Sequence, residues 1–152
     1  MFLSEPPKNG VIKVHGGTLL DYFFVIDYQR KGGQRTKFIL QQYLEGLLNL
    51  MEELPPESKN SRVRGTSYII NEKTAQKIGF QVVETDFADT LILTLNYFNV
   101  MVNLCIAKGT LTFPNIYKIK TFETSLDELL NKKELIQYLI ERLKPQNSHP
   151  KF

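Results

Sequence analysis

The stretch Leu19-Leu-Asp-Tyr-Phe-Phe-Val-Ile-Asp-Tyr28, continued by Gln29-Arg-Lys-Gly-Gly-Gln34, decides how the rest of the chain is read. Its first part is crowded with aromatic and β-branched residues and reads as a buried strand, with a helix starting at Thr18 as the alternative. Its second part is a short basic loop carrying a glycine pair. Over residues 35–54 the pattern turns helical. Phe38, Ile39, Tyr43, Leu47, Leu50, Met51 and Leu54 recur on one side, while Lys37, Gln41, Glu45, Asn49, Glu52 and Glu53 lie mostly opposite. Pro55-Pro56 ends this helix. A strand, a glycine loop and a long helix in that order predict an alternating architecture.

The flanks extend the same reading. Residues 63–70 are strand-like. Asn71 is a good helix cap with Glu72 in the first turn, so a short helix is predicted over 73–78. Gly79 is placed as its left-handed terminus, and a strand resumes over 80–84. Towards the N-terminus, residues 11–15 read as a short strand broken by Gly16-Gly17, and residues 1–10 as an irregular lead-in. Residues 89–107 are almost unbroken in apolar character, which invites a membrane-spanning reading. Asn96, Asn99 and Asn103 form a polar stripe at helical spacing, however, and favour one buried amphipathic helix ended by Gly109. Strands are predicted over 110–113 and 116–122, around the Pro114-Asn115 turn. Ser125-Leu-Asp-Glu128 is a capping box that opens a last helix, stopped by Pro145. The expected fold is α/β, or α+β, with a single mixed sheet packed by about three main helices. Residues 11–144 form the globular domain and 145–152 a loose tail.

The composition bounds the function. At 152 residues the chain is of single-domain length. A formal charge of +3 is too small to argue for nucleic acid. The lone Cys105 precludes an intramolecular disulfide and fits a cytoplasmic or otherwise reducing compartment. With two His and one Cys, a structural zinc site of the usual kind is not expected. The opening Met1-Phe-Leu-Ser-Glu-Pro-Pro7 has neither the basic start nor the apolar core of a secretory signal, and an anchor upstream of Met1 is left open.

Chemistry is hinted at in a few places. A glycine pair at a helix start can present backbone N–H groups to an anion, and Arg30, Lys31 and Arg35 would add charge. A strand-to-helix turn with a solvated basic helix start is the plainer account of the same residues. His15, beside Gly16-Gly17, could serve as a general base oriented by Asp21 or Asp27, and Tyr68 could supply an acid. Lys59, Arg62 and Arg64 make a second basic patch that could meet an anionic ligand or a lipid headgroup. The helix at 89–107 could also meet a protein partner or a membrane surface.

The order of elements around Gln29–Gln34 resembles the C-terminal half of GNAT-type N-acyltransferases. In that family a Gln/Arg-x-x-Gly-x-Gly/Ala loop holds the pyrophosphate of acetyl-CoA through its amides. Gln29, Arg30, Lys31, Gly32 and Gly33 follow that loop, and Gln34 stands where a small residue is expected. Asn71 and the ending Lys77-Ile-Gly79-Phe80 resemble the family's second segment, although the intervening helix is about one turn short. The family's earlier strands and helices have no counterpart before Leu19. The resemblance implies an acetyl-CoA or other acyl-CoA cofactor held by Gln29, Arg30, Lys31, Gly32, Gly33, Gln34, Arg35 and Asn71. A noncatalytic interaction domain is the alternative function.

Overall fold

The computed structural model describes residues 1–144. At its centre lies one mixed five-stranded sheet in the order β1-β2-β3-β5-β4. The strands are β1 (Phe2–Ser4), β2 (Val11–Gly16), β3 (Arg62–Ser67), β4 (Gln81–Val83) and β5 (Lys120–Ser125). β2 and β3 run parallel and the other neighbours antiparallel. A parallel pair needs a crossover, here made by α1 (Leu19–Val25) and α2 (Gly32–Glu53). Five further helices follow: α3 (Glu72–Lys77), α4 (Phe87–Leu95), α5 (Tyr97–Lys108), α6 (Leu126–Asn131) and α7 (Lys133–Leu143). The fold is α/β with a single mixed sheet.

Alternation along the strands sorts the two faces. Ile12, Val63 and Thr124 sit side by side in register, all buried. Ile12 and Val63 join one core with Leu44, Leu47, Leu50 and Met51 of α2, Leu126 and Leu129 of α6, and Ile136 and Ile140 of α7. Burying each such aliphatic side chain stabilises by roughly 1.5–3 kcal/mol. A second, smaller core gathers Tyr22 and Ile26 with Ile39, Tyr43 and Ala107. Thus α2 contributes to both cores and couples them.

Several sequence expectations need correction. The aromatic run after Thr18 is the helix α1 rather than a strand. Thr18 Oγ accepts from the Asp21 N–H, while the Asp21 carboxylate accepts from the Thr18 N–H at 2.7 Å. Only Tyr22 and Ile26, four residues apart, are fully buried, and that is the burial period of a helix. The expected lead-in contains β1, because the Phe2 ring sits where Gly46 of α2 has no side chain.

The expected single helix over 89–107 is two helices meeting at 72°. They part at Asn96, whose Nδ2 donates to the Ile92 carbonyl. No strand forms over 110–113, where the Thr112 N–H is bound to Cys105 Sγ instead of a neighbouring strand. Residues Ile116–Lys118 form a 3-10 turn capped by Asn115, and the strand begins later, at Lys120. The last helix is divided at Lys132 into α6 and α7, so that both apolar stripes reach the same core. The expected tail and His149 lie outside the described residues.

Local readings that rested on caps agree with the structure. Asn71 Oδ1 accepts from the Thr74 N–H, Gly79 takes φ +92°, and Gly109 ends α5 at φ +70°. Ser125 Oγ accepts from the Glu128 N–H.

Candidate functional site

The glycine loop is the first place to look for chemistry. Gly32 is the first residue of α2, and it lies against the end of α5. A Cβ built on Gly32 would come within 1.8 Å of the Lys108 carbonyl oxygen, whereas one on Gly33 would meet nothing within 4 Å. Gly32 is therefore small because backbone packs on backbone there. The basic residues of the loop are engaged internally. Arg35 donates to the carbonyls of Arg30 at 2.8 Å, Ile106 at 2.9 Å and Tyr28 at 2.5 Å, and it stacks over the Tyr28 ring. Arg30 pairs with Asp27 at 3.2 Å and lies over Phe38. The Gln34 side chain accepts from the Lys31 N–H, while Gln29 N–H bonds to Asp27. Asn71 caps α3.

His15 and Tyr68 are set in different surroundings. His15 Nε2 lies 2.6 Å from Glu5 Oε1, and both side chains are about half exposed. Neither proposed orienting carboxylate reaches it, since Asp21 caps α1 and Asp27 holds the loop. Tyr68 is interior. Its hydroxyl donates to Tyr22 Oη at 3.5 Å, beside Asn103. Burial pushes the hydroxyls of Tyr22, Tyr43 and Tyr68 well above the ordinary tyrosine range, so all three stay neutral. Asn103 Oδ1 is buried without a hydrogen-bond partner.

Two open grooves flank the molecule, one of about 700 Å³ beside Arg62, Phe80, Glu123 and Glu128, and one of about 660 Å³ beside Arg30, Gln34, Lys37 and Arg142. A partly open apolar space of about 50 Å³ lies between Val14, Tyr43, Leu47, Ile70, Phe80 and Phe122. That is room for a water molecule or two, far below the size of a metabolite pocket. The second basic patch is largely neutralised. Lys13, Arg64 and Glu123 stand in one row across β2, β3 and β5. Arg62 and Arg64 both face Glu123, Arg64 also faces Asp86, and Lys13 holds Asp89 at 3.2 Å. The Asp89 N–H, bound at 2.7 Å, together with Arg64, keeps the Asp86 carboxyl below the usual range.

The outstanding feature is apolar surface. On α1, Leu20, Phe23, Phe24 and Val25 are exposed; on α4, Phe87, Leu91, Ile92 and Leu95; in the loop beyond α5, Leu111, Phe113 and Tyr117. Phe24 is 77% exposed, Phe87 82% and Leu95 77%, so these are unpartnered side chains and not grazing edges. All three segments are anchored on α5. α1 packs along it, α4 joins it at the bend and touches the Ile116–Lys118 turn, and Thr112 is tied to Cys105.

No family model, curated protein or solved structure matches this chain. Among the described residues, no three His, Cys, Asp or Glu side chains are placed to hold a metal ion. The sequence points to the 89–107 segment, and for residues 19–28 to a buried strand with a helix from Thr18 as the alternative; the alternative is the one that forms, and it exposes an aromatic face. The signal was present in the Thr18-x-x-Asp21 capping box.

Proposed function

We propose that this chain is a noncatalytic interaction domain that works by seating its α1, α4 and 110–117 surface against another apolar surface. The observation that carries the reading is the set of large, exposed apolar side chains on three segments fixed to one helix. Isolated exposed hydrophobes are ordinary, whereas a concentration of them marks a place of contact. The acyl-CoA reading has less support. Gly32 packs on the Lys108 carbonyl and Arg35 is occupied by three carbonyls.

Sedimentation velocity over a concentration series, paired with vesicle flotation, tests the proposal. Self-association or vesicle binding is expected, and the double substitution Phe24→Asp with Leu95→Asp should abolish it. Both positions are exposed, so the variant should fold. A protein that stays monomeric at every concentration and ignores all vesicles would overturn the reading.

A further inference from the structure

We infer that the surface seats on an anionic lipid bilayer, with α4 lying in the interface between headgroups and acyl chains; this rests on the docking reading above. The first observation is how α4 disposes of its polar groups. Thr90 Oγ donates to the Asp86 carbonyl, Thr94 Oγ to the Thr90 carbonyl, and Asn96 Nδ2 to the Ile92 carbonyl. Each of these three side chains turns back onto its own helix four residues earlier. Thr36 of α2 makes the same return to the Gly32 carbonyl, so the bonds are ordinary helix chemistry. Their consequence on α4 is that donors satisfied in this way cost less to place against an apolar medium.

The second observation is the shape and composition of the segment. Among the described residues no single helix is long and apolar enough to cross a membrane. α4 and α5 have that length and composition together, but the 72° bend prevents a straight span. α5 is held inside by Val100, Asn103, Leu104 and Ala107, which leaves α4 as the outward arm. Phe87, Leu91 and Leu95 recur every fourth residue along it and so share one face.

The third is charge complementarity. Of the acids along α1 and α4, Asp21 caps α1, Asp86 caps α4 and Asp89 pairs with Lys13, while Glu84, just before α4, is exposed without an ion pair among the described residues. Around the margin stand Lys31, Lys108 and Lys118, all exposed and without an ion-pair partner among the described residues. Lys108 ends α5 against Gly32, next to Lys31, and Lys118 belongs to the turn touching α4. Lysines rimming an apolar face can bury their stems while meeting anionic headgroups. Tyr28 and Tyr117, exposed at the same margin, suit the polar edge of such an interface.

The test is flotation of the purified chain with phosphatidylcholine vesicles, with and without phosphatidylserine, at low and high salt. Binding is expected on the anionic vesicles and should weaken as salt rises. Leu91→Asp with Leu95→Asp should remove it. Lys31→Glu, Lys108→Glu and Lys118→Glu should each weaken partition by roughly fivefold or more. Far-UV circular dichroism confirms that each variant is folded. Equal binding to neutral and anionic vesicles would overturn the role given to the lysines. Self-association without flotation would overturn the bilayer proposal and leave the docking reading intact, with a second copy as occupant. Neither association nor flotation would overturn both.

Discussion

Gly32 and Gly33 are adjacent and chemically identical, yet the structure asks different things of them. A Cβ on Gly32 collides with the carbonyl at the end of α5, and the colliding atom is backbone that cannot rotate away. Gly32→Ala should therefore destabilise by about 1–3 kcal/mol in urea unfolding. Gly33→Ala should be neutral or stabilise by about 0.4–1 kcal/mol, because its surroundings are empty and alanine restricts the unfolded chain. Equal effects at both positions would show that the packing account is wrong. Arg35 makes the same point with charge. Arg35→Lys keeps the positive charge but loses the fork that reaches three carbonyls, and should cost about 1–3 kcal/mol. Millimolar acetyl-CoA is expected to leave the thermal midpoint of the native protein unmoved; a rise of a few degrees would restore the anion-loop reading. Sequence showed that this loop was special, since glycines and basic residues cluster there. It could not show that the partners of those residues are the carbonyls of Ile106 and Lys108, more than seventy positions away.

At the scale of elements, legibility followed the caps. Asn71, Gly79, Gly109 and Ser125 act over three or four residues, so their chemistry is written locally, and the ends they mark stand where expected. Elements identified by composition fared less well. The Leu19–Val25 run is β-favouring, but its place in the sheet is taken by other strands and one helical stripe suffices to bury Tyr22. The bend between α4 and α5 lies at Asn96, one of the three asparagines read as a continuous stripe. Asn103 is buried at the far end of α5 while Asn99 is exposed, so the stripe does not face one environment. The start of α4 is testable. Asp86→Ala removes the cap on the Asp89 N–H and should cost about 1 kcal/mol. Asp86→Asn keeps the acceptor and removes only the charge, so its deficit should be smaller and should depend on pH. The folded carboxyl titrates below its unfolded value, so the charge stabilises fully above about pH 5. That advantage is lost as pH falls through the folded pKa. Thermal midpoints of the wild type and Asp86→Asn should therefore converge on acidification; a deficit that persisted unchanged at low pH would mean that the charge has no part in it.

The whole molecule is two cores sharing α2. The larger one, between sheet and helices, was legible in the amphipathic periodicity of residues 35–54 and in the capping box that opens the last helix at Ser125. The smaller one was legible only in part: Ile39 and Tyr43 stand in the apolar set of the same helix, but Tyr22 lies in a run read first as strand and Tyr68 just past β3. Its three hydroxyls give the protein a global pH signature. Burial raises all three above the unfolded value of about 10. A group raised in this way leaves stability intact below the unfolded pKa and withdraws it as pH climbs from there towards the folded value. Above about pH 10, each tyrosine that ionises only in the unfolded chain should remove roughly 1.4 kcal/mol per pH unit, so three together give a steep alkaline collapse. Urea midpoints measured through that range should fall steeply for the wild type. Tyr68→Phe should make the fall shallower, even though the variant is less stable at neutral pH after losing the contact with Tyr22. The slope is the decisive quantity, because a merely structural defect lowers stability equally at every pH. An unchanged slope in Tyr68→Phe would show that its hydroxyl meets water in the native state and that the second core is open. A reduced slope would show that α1, α2, α5 and the end of β3 close on one another as a single neutral unit, leaving the outer face of α1 free for contact.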